Sequence, residues 1–178
     1  EGRRTVFQAL PAALGHVISI GRLDYNSEGL LLITNDGALA RTLELPSTGW
    51  LRRYRIRVYG RVDEARLKSL AGGVTVEGQR YGPIRAMLER QKGDNAWLAV
   101  GLAEGRNREV RRVMEHLGYP VSRLIRIAYG PFQLGRMAPG DVEEVPPRVL
   151  RDQLGQLWEP TKERERPCRP TSQPITTA

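Results

Sequence analysis

One cysteine and two histidines in 178 residues leave little room for sulfur or metal chemistry. Cys168 stands alone in a polar stretch, so neither a disulfide framework nor a cysteine-based metal site is available. With only His16 and His116, a zinc site would rest mainly on carboxylates, and none is expected. Aromatic residues make up 6% of the chain, so any stacking against bases depends on a few particular rings. No apolar run is long enough to cross a bilayer, and Glu1 does not begin a signal peptide. A cytoplasmic protein that does not bind membranes is the expectation. The glycine spacings of Rossmann and P-loop sites are missing as well, and no cofactor is expected.

Positive charge is abundant. Lysine and arginine number 28 against 20 acidic residues, giving a formal charge of +8 and an isoelectric point near 10.2. An anionic partner follows, and nucleic acid is the commonest for a basic chain, although an anionic membrane surface fits the charge alone. A hydrophobic content of 40% suffices for one packed unit or two small lobes. The 19 glycines and 12 prolines, without a collagen-like period, predict many turns and short strands.

Patterning along the chain is mixed. Thr5 can cap a short helix in which Val6, Ala9 and Leu10 share a face. HVISIGRLD reads as a strand entering a loop, LLLIT (30–34) as a buried strand, and NDG (35–37) as a reversing turn before a short helix. RRYRIRVYG (52–60) alternates clearly. Tyr54, Ile56 and Val58 face one way; Arg53, Arg55, Arg57 and Tyr59 face the other, exposed or covered by RNA. Asp63 can cap a helix over EARLKSLA, ended by Gly72–Gly73. Strands are expected at VTVEG, IRAMLER and AWLAVGL. A helix over 107–118 with Asn107 as its cap follows, then a strand at VSRLIRIAYG and a last helix at RVLRDQLGQLW. From about Glu159 the composition predicts a disordered tail. The fold class is α+β: a mixed, mainly antiparallel sheet with flanking helices.

Several residues invite a chemical reading. Asp24, in GRLDYNSEGLLLITNDG, either caps a loop turn and pairs with Arg22, or is a cleft carboxylate able to act as nucleophile or base. Glu28 offers the second carboxylate that a glycosidase would need. On the helix after Asn107, Val110, Val113, Met114 and Leu117 form an apolar stripe. Arg108, Arg111 and Arg112 lie opposite, as a solvated face or a phosphate-facing ridge. Arg106 and the amides of Gly105 through Arg108 would add anion contacts at the positive helix end. Tyr54 is a core tyrosine or a flat surface for a base. Arg123 and Arg126 extend the basic count beside that helix.

The segments GRLDYNSEGLLLITNDG, RRYRIRVYG, EGRNREVRRVMEHLG and VSRLIRIAYG resemble, in this order, the signature segments of the bacterial ribosomal small/large-subunit pseudouridine synthases. The resemblance runs from about residue 2 to 155, and its wording is more like the large-subunit branch. It implies a mixed sheet crossed by a central cleft, with Asp24 as the essential catalytic aspartate. It also implies Tyr54 lying against the uracil and Arg111 paired with the aspartate. Arg22 would take the place of the displaced base and Leu124 would line the pocket. Ser27 replaces the usual threonine and keeps the hydroxyl. The family's first strand and its small S4-type RNA-binding domain are not represented, so residues 1–158 are expected to be the catalytic domain alone.

The implied reaction is isomerisation of a uridine to pseudouridine in ribosomal RNA, that of the large subunit, by a monomer. Arg106, Arg108 and Arg112 would hold the RNA backbone. The alternatives are a noncatalytic rRNA-binding or ribosome-assembly protein and a glycoside or nucleoside hydrolase using Asp24 and Glu28.

Overall fold

The computed structural model describes residues 5–155. The unit that runs to Glu144 is built on one sheet, and a second unit starting at Val145 contains helix α5 (Pro147–Leu154). The expected tail lies outside the described residues.

Strand β4 (Arg52–Tyr59) sits in the middle of the main sheet, and its sequence explains why. Ile56 and Val58 are fully buried on one side, while Arg53, Arg55, Arg57 and Tyr59 are exposed on the other. β8 (Asn95–Leu102) pairs along one edge of it and β9 (Val121–Tyr129) along the other, both antiparallel. β7 (Ile84–Lys92) extends the sheet beyond β8, and β10 (Phe132–Gln133) folds back on β9. The order is β10-β9-β4-β8-β7, with β2 (Glu28–Gly29) running parallel to β9.

The helices lie on the apolar side. α3 (Glu64–Ser69) starts where the Asp63 carboxylate accepts the Ala65 amide at 2.8 Å. α4 (Glu109–His116) contributes the predicted stripe, with Val110, Val113, Met114 and Leu117 all buried against Ile56, Leu98, Val100 and Leu124. Around this body, β5 (Val74–Val76) and β6 (Gln79–Tyr81) form a hairpin and β1 (Ile18–Ile20) pairs with β3 (Leu32–Thr34). The α+β class and its mainly antiparallel sheet are as the patterning implied.

Four local readings need correction. LLLIT is not one buried strand: Leu30 enters the core, while Leu32–Thr34 is half-buried because it has only β1 as a neighbour. NDG does more than turn the chain. Asp36 caps α2 (Gly37–Glu44), its carboxylate accepting the amides of Ala38 and Leu39 at 3.0 and 3.1 Å. β6 goes unrecognised in the sequence although Glu77-Gly78, both at positive φ, have the conformation of a two-residue hairpin turn. Finally, Asn107 does not cap α4. Arg108 precedes the helix in the left-handed region (φ 51°), and the Glu109 carboxylate turns back to accept the Arg106 amide at 2.9 Å.

β9 carries an irregularity that matters for the site. Arg53 pairs with Ala128 but Tyr54 pairs with Arg126, so Ile127 is an extra residue with no partner on β4.

Gly29 is held at φ 103°, and a Cβ there would press into the Arg126 backbone, 2.8 Å from its nitrogen and nearer still to its carbonyl oxygen. Gly29→Ala is expected to destabilise the fold by about 3 kcal/mol or more, measured by urea unfolding followed through tryptophan fluorescence. Glu109 gives a pH-dependent test. Burial pushes its carboxyl above the usual range, opposed by the Arg106 amide and reinforced by Glu104. The folded protein therefore holds this proton to higher pH than the unfolded chain does, and loses stability as pH rises through that window. Glu109→Gln does not titrate and can still accept the amide. Its stability relative to wild type should rise from pH 4 to pH 8 in the same assay.

Candidate active site

The site is organised around a residue that the motifs do not single out. Arg126 stands two positions after Leu124 on β9, so strand alternation turns it toward the helical side of the sheet, where it is 1% exposed. A guanidinium in the core must find acceptors. Arg126 Nε donates to the Leu30 carbonyl at 2.8 Å and Nη1 to the Arg22 carbonyl at 3.1 Å. The Leu30 amide returns a bond to the Arg126 carbonyl at 2.8 Å. Tyr129 offers its ring face 5.3 Å away. The segment from Arg22 to Leu30 is thus wrapped around one side chain, and Asp24 lies within the wrapped loop. A turn closes over it, the Ser27 amide donating to the Asp24 carbonyl at 2.8 Å.

Arg111 holds the same loop from the helix. Its Nη2 donates to the Asn26 carbonyl, and Nη1 donates to the Val121 carbonyl at 3.0 Å. These bonds tie the loop to the start of β9. Arg111 and Asp24 interact electrostatically, yet no N–O approach within 4.0 Å joins them as an ion pair among the described residues. Burial and the neighbouring Arg108 lower the Arg111 pKa, and the Asp24 charge works against that shift. The implied pairing is therefore through space, while the guanidinium's hydrogen bonds go to the backbone that carries the aspartate.

Tyr54 is the cross-strand partner of Arg126 and is half-buried. Burial raises its phenol pKa, and the positive charges of Arg126 and Arg52 only partly offset this. The hydroxyl consequently keeps its proton at neutral pH. Leu124 pairs with Ile56 in the next core-facing row and is buried within the main hydrophobic cluster.

The other basic residues divide by neighbour. Arg22 is exposed, with its carbonyl on Arg126. Arg106 is exposed and paired with Glu104 at 2.9 Å. Its amide is taken by Glu109, so it is not among the free amides that the sequence suggested at the start of α4. Arg108 is exposed beside Arg111, whereas Arg112 reaches the Tyr81 hydroxyl at 3.4 Å, on the side of the β5–β6 hairpin. The expected single ridge is split, because Arg111 and Arg112 turn to different neighbours.

Glu28 sits outside this arrangement. It is exposed and held by two 2.8 Å bonds from Arg123, which lower its pKa. A general acid needs the opposite shift. Among the described residues no three His, Cys, Asp or Glu side chains are placed to hold a metal ion, and no helix is long and apolar enough to cross a membrane. A concavity of about 390 Å³ lined by Phe7, Leu10, His16 and Val17 includes none of the candidate site residues.

Comparison with known proteins converges on one family. The sequence profile of the RNA pseudouridylate synthases matches residues 8–116. An uncharacterised RNA pseudouridine synthase of Rickettsia conorii is 47% identical over 150 residues, covering 84% of this chain and 64% of that protein. The ribosomal large subunit pseudouridine synthase B of Escherichia coli K12 is 47% identical over 140 residues, covering 78% and 48%. This chain thus spans between about half and two thirds of the length of these relatives. A crystal structure of a pseudouridylate synthase superposes with a TM-score of 0.74 at 26% identity, covering 84% of this chain and 65% of that one. With the profile extending over most of the sheet and both ends of the wrapped loop, the chain belongs to the RNA pseudouridylate synthase family.

Proposed function

We propose that this chain is the catalytic part of an enzyme that isomerises a uridine to pseudouridine in ribosomal RNA, that of the large subunit. Asp24 is its essential carboxylate. The observation that carries this reading is the convergence on one loop: Arg126 from the sheet and Arg111 from α4 hold the backbone on either side of Asp24. The E. coli relative, a ribosomal large subunit pseudouridine synthase, favours the large subunit over the small one. A cytoplasmic, monomeric enzyme goes with that reading.

The reaction breaks the bond from uracil N1 to ribose C1′ and forms one from C5 to C1′. The C5 proton leaves and N1 gains one, so nothing is added or lost overall. Reaching the sugar requires the uridine to be turned out of its stack, at a cost of a few kcal/mol. Arg22, exposed beside the loop, fills the vacated place, and Arg106, Arg108 and Arg112 hold backbone phosphates. Attack at C1′ and proton removal at C2′ both require the Asp24 carboxylate to be positioned against the ribose, with Arg111 supplying positive charge beside it. The detached uracil is retained by the ring of Tyr54, above the packed row that contains Leu124. Tyr54, or a water that its hydroxyl orients, assists removal of the C5 proton.

A hydrolase using Asp24 and Glu28 is disfavoured by the Arg123 bonds on Glu28. A noncatalytic RNA binder would have no use for a clamped carboxylate.

Asp24→Asn should abolish tritium release from C5-labelled uridine in 23S rRNA and leave RNA affinity within about threefold. Carbodiimide-dependent reverse-transcription stops should appear only with the wild type. Free uracil in place of stops would indicate hydrolysis, and tritium release by the variant would remove Asp24 from its role. Arg126→Lys retains the charge but loses the rigid fork whose Nε and Nη1 reach the two carbonyls. It should lower kcat by about 10²-fold with KM little changed, the signature of a displaced reactive group. An unaltered kcat in a folded variant would mean that the loop does not depend on Arg126.

A further inference from the structure

The sheet has a second face that the reaction does not use. Cross-strand partners point to the same side, so the registers of β7, β8, β4 and β9 define it row by row. One row reads Arg85, Gly101, Arg53 and the buried Ala128; the next reads Met87, Ala99, Arg55, Ile125; the third reads Arg90, Trp97, Arg57, Arg123. Beyond it stand Lys92, Asn95 and Tyr59. Tyr54, Leu124 and Arg126 point to the opposite, helical side.

Two of the six arginines have acidic partners, Arg55 with Glu89 and Arg123 with Glu28, each at 2.8 Å. Arg53, Arg57, Arg85 and Arg90 are exposed, and no carboxylate pairs with them among the described residues. Arg57 and Arg123 are directly opposed like charges, an arrangement that costs stability in a sheet. Apolar surface is interleaved with the cations. Met87 is 68% exposed and Tyr59 58%, and Trp97 is half-buried beneath Arg55, whose guanidinium lies 4.6 Å from its ring.

The charge is carried by forks and not by point charges: only three of the chain's 28 basic residues are lysines. Arginine matches phosphate bidentately and stacks on flat rings. Same-face residues along β4 recur about every 6.8 Å and neighbouring strands lie about 4.8 Å apart, giving a flat grid of donors. Gly101 is buried beside the Leu51 side chain, and small, half-buried Ala99 stands in the next row.

We propose that this face is a second RNA-binding surface, which holds the phosphate backbone of a segment of the same rRNA distant from the target uridine. The inference rests on the reading that the chain acts on RNA. Catalytic loop and arginine grid are on opposite sides of one sheet, so an RNA touching both must be large and folded. Affinity for the long RNA then comes largely from a surface that never meets the reacting base.

The test uses the full chain and a triple variant, Arg53→Gln, Arg57→Gln and Arg90→Gln, with the triple Lys variant as a control that retains charge. Binding to a 23S rRNA transcript and to a short hairpin with a uridine loop is titrated against salt. The Gln variant should lose about tenfold or more in affinity for the transcript near 0.15 M salt. Its slope of log affinity against log salt should become shallower by about two to three, close to one for each lost phosphate contact. Hairpin binding should stay within twofold, and the Lys variant should recover most of the slope. An unchanged slope on the transcript, or equal losses on both RNAs, overturns the proposal. So does loss of binding to anionic phosphatidylglycerol vesicles with RNA binding intact, which would assign the face to a membrane. Pseudouridine formation is measured on the same samples. A wild type that binds the transcript but forms no pseudouridine defeats the enzymatic reading and leaves this one standing.

Discussion

A guanidinium buried in the core is the constraint on which the site depends. Arg126 cannot be left without acceptors in a low-dielectric interior, and burial depresses its pKa, with Tyr54 and Tyr129 acting in the opposite direction. The acceptors it obtains are main-chain carbonyls, so satisfying the charge also fixes the path of the chain. That path explains Gly29, since a loop drawn this closely onto β9 leaves no room for a side chain at the point of contact. It also gives a short, polar and otherwise irregular segment the positional definition expected of a strand.

The arginines of this protein illustrate how little residue type alone decides. Arg126 is a core scaffold and Arg111 a clamp with an electrostatic role. Arg52, half-buried, donates to the Ala103 carbonyl and to the Tyr129 hydroxyl, the latter at 3.0 Å. Arg53 and Arg57 stand in solvent. Environment separates these roles, through the number of carbonyls within reach and the loss of water around the charge. Tyr54 follows the same rule, its proton secured by burial despite two neighbouring cations.

Much of this was legible in the sequence, and the omissions have definite causes. The alternation of β4 and the stripe on α4 are strong periodic signals, and both appear as read. The ends of elements were less readable. Asn107 is a good cap by propensity, but the Glu109 side chain takes the Arg106 amide and Arg108 adopts a left-handed conformation, so the helix begins later. NDG has turn chemistry that serves equally well as a helix cap, and local sequence does not distinguish the two. Arg126 was counted with the surface charge because arginine is so seldom buried, although its place two residues after Leu124 already put it on the inner face. The motif residues Asp24, Tyr54 and Arg111 are singled out by family likeness. That their arrangement depends on carbonyl contacts across 85 to 104 positions of chain is not legible, because backbone acceptors leave no mark in a sequence.

The unpaired Ile127 has a further consequence. In a regular pleat, residues three apart project to opposite sides, so Arg126 and Tyr129 could not share a face. The added step shifts the phase of β9 between them. Both side chains then reach the same interior, where the Tyr129 hydroxyl bridges from the Arg52 guanidinium to the Leu43 carbonyl. If Ile127 instead entered the ladder as a regular strand residue, inside and outside would be reversed for everything after it in the strand. The position is thus one where conformation is under tighter constraint than identity: what matters is that the residue stays outside the ladder with β4.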